Sequence, residues 1–146
     1  MARVEVPDTS VLIHVMREPR AWSGFQLALA AGRIWLSSVA VAELYAGTRG
    51  PEDARLLDRI VDAMSRVDRL LTPTAGDWAR AGRLIARHIR LHGKVRPRDH
   101  LADVLMVVSA ARLGGVVVTA NVRHFEMWAE LARDAGLEVA VLEYRP

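Results

Sequence analysis

The chain has 146 residues, of which 51% are apolar and 25% are charged, and it contains no cysteine. This length and composition exclude intrinsic disorder and predict a single domain over residues 1–146. The absence of cysteine excludes disulfides and sulfur-ligated metals and is typical of a reducing cytosol, so we expect a soluble cytoplasmic protein. The longest stretch without a charged residue, 21–32, has 12 residues, which is too short to span a bilayer.

Short β-branched runs alternate with longer helical patterns along the chain, which is typical of an α/β fold with a mostly parallel sheet. The pattern predicts strands over residues 4–6, 34–37, 67–71, 115–119 and 137–142. It predicts helices over 10–16, 21–31, 74–92, 101–113 and 125–135, one that follows the second strand and ends at Gly47, and one that begins at Pro51.

Positive charge is concentrated in one part of the chain. Residues 78–98 hold seven basic residues and no acid, whereas the rest of the chain holds 13 basic and 17 acidic residues. Arg80, Arg83, Arg87 and Arg90 form a stripe on the predicted helix 74–92, away from the face on which Trp78 is expected to pack against the sheet. Because guanidinium groups bind phosphates in a bidentate manner, the stripe is either a polyanion contact or a solvated helix face.

Three acidic residues lie where a parallel sheet forms binding sites. Asp8 follows the first strand, Glu43 lies on the helix after the second strand, and Asp103 lies near the start of the helix 101–113. Taken singly, each is better explained as a turn residue or a helix-start residue than as a ligand. Brought together at one sheet edge, the three carboxylates would repel one another unless a cation lay between them. Oxygen ligands of this kind favour Mg²⁺ or Mn²⁺, so metal-dependent hydrolysis of nucleic acid is one hypothesis.

Four blocks of the sequence carry a family resemblance. They cover residues 4–10, with Val-Glu-Val-Pro-Asp-Thr-Ser, 37–47 around Glu43, 103–111 beginning with Asp103, and 118–125, with Val-Thr-Ala-Asn-Val-Arg-His-Phe. In this order and at these separations they resemble the PIN-domain ribonucleases, and most closely the VapC-type toxins of bacterial toxin–antitoxin pairs. The resemblance implies a three-layer α/β/α sandwich around a mostly parallel sheet.

The resemblance also implies a catalytic centre. In such a centre Asp8, Glu43 and Asp103 coordinate Mg²⁺ or Mn²⁺ and direct a water at an RNA phosphodiester. Ser10 is expected to orient Asp8, and Thr119 is expected to support the pocket from behind the metal ligands.

The last block departs from the family pattern. Where relatives often have an acid, this chain has Asn121 and His124. Asn121 can still offer a carbonyl oxygen to a metal or to its water, so we include it in the catalytic set. His124 either contacts the scissile phosphate, shuttles a proton or is an ordinary loop histidine.

The substrate and the partners follow from the same resemblance. We expect Arg96, Arg98 and Arg123 to help position RNA phosphates near the acidic residues. VapC-type proteins imply a cognate antitoxin and a homodimer, and no membrane partner is expected. The alternative is a PIN-like module that binds RNA or protein with little or no catalysis, which the replacement of the fourth acid favours.

Overall fold

The structure, a computed structural model, describes residues 3–146, in which seven helices connect five strands, one or two helices between each strand and the next. The strands are β1 (Glu5–Pro7), β2 (Leu36–Ser37), β3 (Leu70–Leu71), β4 (Val116–Thr119) and β5 (Ala140–Glu143). The helices are α1 (Thr9–Arg17), α2 (Pro19–Ala30), α3 (Ser38–Ala46), α4 (Pro51–Arg66), α5 (Ala75–His92), α6 (Pro97–Arg112) and α7 (Val122–Asp134).

Every strand pairing in the described part of the chain is parallel. β4 pairs with β1 on one side and with β5 on the other, and β2 pairs with β3. A bridge between Glu5 and Ile34 attaches the segment before β2 to β1, and the Glu5 N–H donates to the Arg33 carbonyl at 2.8 Å. The order across the sheet is therefore β3-β2-β1-β4-β5.

Helices cover both faces of this sheet. α6 packs against β1 and β4 and α7 against β4 and β5, with α5 outside them, whereas α1 packs against β4 and contacts α2 and α3. Right-handed crossovers place these two groups on opposite faces. The predicted fold class, an α/β/α sandwich around a mostly parallel sheet, is confirmed.

The order of the strands determines where a ligand is expected. The chain leaves β1 towards β2 and leaves β4 towards β5, so the direction of the crossovers reverses between β1 and β4. In sheets of this type, ligands bind outside the carboxyl ends of the strands at the point of reversal. Residues that directly follow β1 and β4 therefore lie at the expected binding edge.

The core is centred on α6, whose residues 104–111 are all buried. A helix that is apolar all round is typical of a central position between other elements, and α6 contacts the sheet, α5 and α7. Trp128 on α7 is fully buried beside it.

The structure corrects the predicted start of α6. The helix begins at Pro97 instead of residue 101, because proline is well suited to the first helical position, where its missing N–H is not needed. Asp103 therefore lies in the second helical turn, and a first-turn dipole effect does not explain it.

The predicted third strand is also shorter than expected. Asp68 has a φ of 55°, a left-handed conformation that a strand cannot contain. The Arg69 N–H donates to the Met64 carbonyl at 2.9 Å and closes the turn that ends α4. Only Leu70–Leu71 is left to pair with β2.

Trp78 does not pack on the sheet, contrary to the prediction. Its side chain is 50% exposed, because α5 lies outside α6 and contacts α6 and α7 instead of the strands.

Within residues 3–146, every helix falls short of the length and apolar character that a bilayer crossing requires.

Candidate active site

Asp8 stands at the centre of the candidate site. It directly follows β1, caps the N-terminus of α1 and is only 5% exposed. Its Oδ1 accepts hydrogen bonds from the Val11 N–H at 2.9 Å and the Ser10 hydroxyl at 2.8 Å, and its Oδ2 accepts one from the Thr119 hydroxyl at 2.6 Å. These bonds offset the cost of burying the carboxylate and fix its orientation.

Thr119 connects Asp8 to the end of β4. Its side chain is fully buried, and its Oγ1 accepts a hydrogen bond from the Asn121 N–H at 2.9 Å. Asn121 is the exposed residue before α7, and its side chain makes no capping hydrogen bond. The backbone N–H of Asn121 therefore lies next to a residue that holds Asp8.

Glu43 is joined to this region through Thr9. The Thr9 hydroxyl donates to Glu43 Oε1 at 2.9 Å and links the first residue of α1 to α3. Glu43 is exposed. Since Thr9 follows Asp8 directly, the contact brings the α3 carboxylate to the same edge of the sheet as Asp8.

Asp103 contacts His124 across the interface between α6 and α7. His124 Nε2 lies 2.8 Å from Asp103 Oδ2, and the two side chains are 26% and 33% exposed, respectively. The imidazole of His124 lies 6.0 Å from that of His100, whose ring is 5.5 Å from that of the buried Trp128. His124 lies on α7 and not in a loop, and its side chain contacts an acidic residue.

The structure does not gather the three acids around one point. Within residues 3–146, no group of three or more His, Cys, Asp or Glu side chains lies close enough together to hold a metal ion. Asp8 is held by Ser10 and Thr119, while Glu43 and Asp103 each contact a different partner. The chemistry of the donors nevertheless fits a hard divalent cation, because carboxylate and amide oxygens are the ligands that Mg²⁺ and Mn²⁺ prefer.

A cavity of about 500 Å³ lies beside Glu43. Its wall includes Ser38 and Ala42 of α3, Trp78 of α5, and Arg98 and Ala102 of α6. Ala102 precedes Asp103, so the cavity runs between the helices that carry two of the three acids.

The three arginines predicted to bind phosphates lie at the surface. Arg96 precedes α6, and Arg98 and Arg123 lie in the first turns of α6 and α7; all three are exposed. In the described part of the chain, no carboxylate lies within 4.0 Å of any of these guanidinium groups. Their charges are therefore not neutralised by an ion pair. Arg80 of the α5 stripe, in contrast, lies 3.9 Å from Asp77.

Sequence reasoning missed two residues of this region. Thr9 was not singled out, although its place between Asp8 and Ser10 was the available signal. Trp78 is predicted to lie in the core because it falls on the apolar face of α5. Helical periodicity does not reveal that this face extends past the neighbouring helix at the first turn of α5.

Three solved structures illustrate the similarity of the fold. They are DNA-bound VapBC from Salmonella typhimurium (22% identity, 98% of each chain covered, TM-score 0.66), FitAcB from Neisseria gonorrhoeae (20% identity, 95% of this chain and 96% of that chain, TM-score 0.65), and VapBC2 from Rickettsia felis bound to a promoter fragment (15% identity, 97% of this chain and 99% of that chain, TM-score 0.64). At these identities the likeness shows a shared fold.

A comparison with curated proteins finds no significant match. The pattern that defines the PIN domain, however, matches residues 6–134, which is most of the chain. This range begins in β1, includes Asp8, Glu43 and Asp103, and ends with α7. The chain therefore belongs to the PIN domain family.

Proposed function

We propose that the chain is a Mg²⁺- or Mn²⁺-dependent endoribonuclease of the VapC toxin type, formed by one PIN-like domain over residues 1–146. The observation that carries the proposal is the buried carboxylate of Asp8, which Ser10, Val11 and Thr119 hold at the edge where the strand order reverses. A buried acid with this many fixed donors is typical of a preorganised functional site.

In this proposal Asp8, Glu43 and Asp103 hold the ion. Asp8 provides the fixed ligand, and Glu43 is exposed and has room to change rotamer. Asp103 is one-third exposed, and its Oδ1 is offered to the ion while Oδ2 stays on His124. When bound, the ion supplies an activated water and positive charge for the leaving oxygen of the phosphodiester.

The remaining residues of the site act on these ligands or on the RNA. Ser10 and Thr119 orient Asp8, and the Asn121 amide oxygen faces the metal or its water at one less negative charge than the acid of many relatives. His124 holds Asp103. RNA phosphates are bound by three guanidinium side chains that form no ion pair within residues 3–146: Arg96, Arg98 and Arg123.

The proposal includes two protein partners. The VapC-type resemblance implies a cognate antitoxin, and it implies a homodimer. The similar solved structures include VapBC bound to DNA, which supports the first of these expectations. Size-exclusion chromatography with light scattering, on the chain alone and with the product of the adjacent gene, tests both.

A second candidate function is RNA or protein binding without catalysis. It is favoured by Asn121 and His124, which stand where many relatives have acids, and by the separation of the three carboxylates in residues 3–146. Under this alternative the protein binds RNA but cuts none in the presence of Mg²⁺ or Mn²⁺.

The decisive experiment is RNA cleavage by purified protein freed of any partner. We expect cleavage with Mn²⁺ or Mg²⁺, no cleavage with EDTA, and a loss of at least ~100-fold in Asp8→Asn, because removing a metal ligand removes water activation and charge stabilisation together. Asp134→Asn, which changes an exposed aspartate at the end of α7, is the matched control and should cut like the wild type. Cleavage that survives both EDTA and Asp8→Asn would contradict the proposal.

A further inference from the structure

The cavity beside Glu43 contains a large aromatic side chain that the proposed hydrolysis does not use. Trp78 is 50% exposed, and it lines the cavity together with Glu43, Pro73 and Leu101. Leaving half of an indole ring in water forgoes hydrophobic stabilisation that contact with another flat apolar surface would recover. Its ring is therefore available to a ligand that enters the cavity.

The same cavity carries a cation. Arg98 contributes to its wall, and within residues 3–146 no carboxylate lies within 4.0 Å of the Arg98 guanidinium. Arg98 also lines a neighbouring cavity in the α5–α6 loop, together with Lys94, Arg96 and Asp99. Three basic side chains and one acidic side chain thus line the loop cavity, and Arg98 is shared with the cavity that contains Trp78.

We propose that Trp78 and Arg98 form a subsite for one unpaired nucleotide of the RNA, in which the indole stacks on the base and the guanidinium binds an adjacent phosphate. This inference rests on the proposed function, because it assigns RNA as the ligand. Stacking on a side chain needs a base that is free of a duplex, and arginine supplies the backbone contact. The substrate class is therefore RNA with a single-stranded segment at the cleavage site.

The position of Glu43 relates this nucleotide to the bond that is cut. Glu43 lies in the wall of the same cavity and is one of the proposed metal ligands. The stacked base thus belongs to a nucleotide next to the scissile phosphate. Trp78 is then a specificity-determining residue for the local structure of the RNA. The cationic rim favours a nucleotide over an apolar protein segment as the occupant.

The test compares the binding of two labelled oligomers in EDTA, where hydrolysis is blocked. One is an oligoadenylate of about ten nucleotides, which spans a single site, and the other is an abasic ribose-phosphate oligomer of equal length. We expect Trp78→Ala to weaken binding of the oligoadenylate by about 5- to 100-fold and to leave the abasic oligomer unaffected. Trp78→Phe should retain most of the affinity.

Two further variants separate stacking from charge. Arg98→Ala should weaken the binding of both oligomers. It should also reduce the magnitude of the negative slope of log K against log salt by about 0.7, the value for one phosphate on a single strand. Leu27→Ala removes an apolar side chain on α2 that is 73% exposed, and it should change neither affinity. Circular dichroism and thermal melting establish that every variant is folded.

Several outcomes overturn the subsite. The subsite is contradicted if Trp78→Ala binds both oligomers as tightly as the wild type does. It is also contradicted if Trp78→Ala weakens the binding of both oligomers by the same factor. If Trp78→Ala lost binding to a peptide of the antitoxin while its affinity for RNA stayed unchanged, the cavity would belong to a protein partner instead. Base-dependent binding by a wild type that cuts no RNA supports the subsite and contradicts the hydrolysis, whereas cleavage without a Trp78 effect contradicts the subsite alone.

Discussion

Thr119 donates its hydroxyl hydrogen to Asp8 Oδ2 at 2.6 Å, across 111 positions of sequence. The same hydroxyl oxygen accepts the Asn121 N–H, and the Asp8 N–H donates to the Val118 carbonyl at 2.9 Å. One buried side chain therefore ties the end of β4 to the carboxylate that follows β1. The pairing of β1 with β4 is what brings these two residues together.

Replacing this hydroxyl should destabilise the fold as well as the site. Thr119→Val preserves the shape of the side chain but leaves a buried Asp8 oxygen and the Asn121 N–H without their partner. The expected cost is about 1–3 kcal/mol of unfolding free energy, measured by urea denaturation. Thr119→Ser keeps the hydroxyl and should lose less. Equal stability of Thr119→Val and the wild type would mean that this hydrogen bond contributes nothing.

His124 is expected to position Asp103 for metal binding. His124→Ala removes the 2.8 Å contact with Asp103 and leaves the carboxylate free to rotate. Because partners of metal ligands typically contribute 10- to 100-fold to affinity, we expect Mn²⁺ to bind about 10- to 100-fold more weakly by isothermal titration calorimetry. His92→Ala, an exposed histidine at the end of α5, serves as the control. An unchanged Mn²⁺ affinity in His124→Ala would rule out the positioning role.

His88 should make the fold sensitive to acid. It is 7% exposed, and its ring lies 4.9 Å from that of Trp128. Burial lowers the pKa of His88 below its ordinary value of 6.5, and the nearby His92 and His100 lower it further. The unfolded chain therefore binds a proton near pH 6.5 that the folded chain takes up only at lower pH, so stability is full above this pH and falls as the pH decreases below it.

The measurement for His88 is the melting temperature between about pH 7.5 and pH 5. His88→Leu has no proton to bind at this position, so its melting temperature should decrease less over this range than that of the wild type. Parallel curves for the two proteins would show that His88 does not contribute to the acid sensitivity.

An ion pair between a buried carboxylate and a partly exposed arginine should hold α5 against the end of α6. Asp77 is fully buried, and Arg112 Nε lies 3.1 Å from its Oδ2. Arg112→Met leaves this carboxylate without its principal cation, so we expect a loss of about 2–3 kcal/mol in unfolding free energy. Arg145→Met breaks an exposed pair with Glu143 and should change stability by less than about 0.5 kcal/mol. Similar losses in both variants would contradict the role of the Asp77–Arg112 pair.

The fold and part of the site could be predicted from the sequence because their signals are local. Short β-branched runs predict the strands around the binding edge, and the position of Asp8 directly after a strand is sufficient to place it there. Contacts between distant segments carry no such signal. The bond between Thr9 and Glu43 and the exposure of Trp78 depend on how α3, α5 and α6 pack, which periodicity within one helix does not determine.

The most direct test of the metal site is a crystal structure of the protein soaked in Mn²⁺, with an anomalous difference map. We predict one peak within about 2.2 Å of a carboxylate oxygen from each of Asp8, Glu43 and Asp103, with Glu43 turned from Thr9 towards Asp8 and with Asp103 bound through Oδ1 while its Oδ2 stays on His124. A map without a peak between these residues, with Glu43 still on Thr9, would contradict the account.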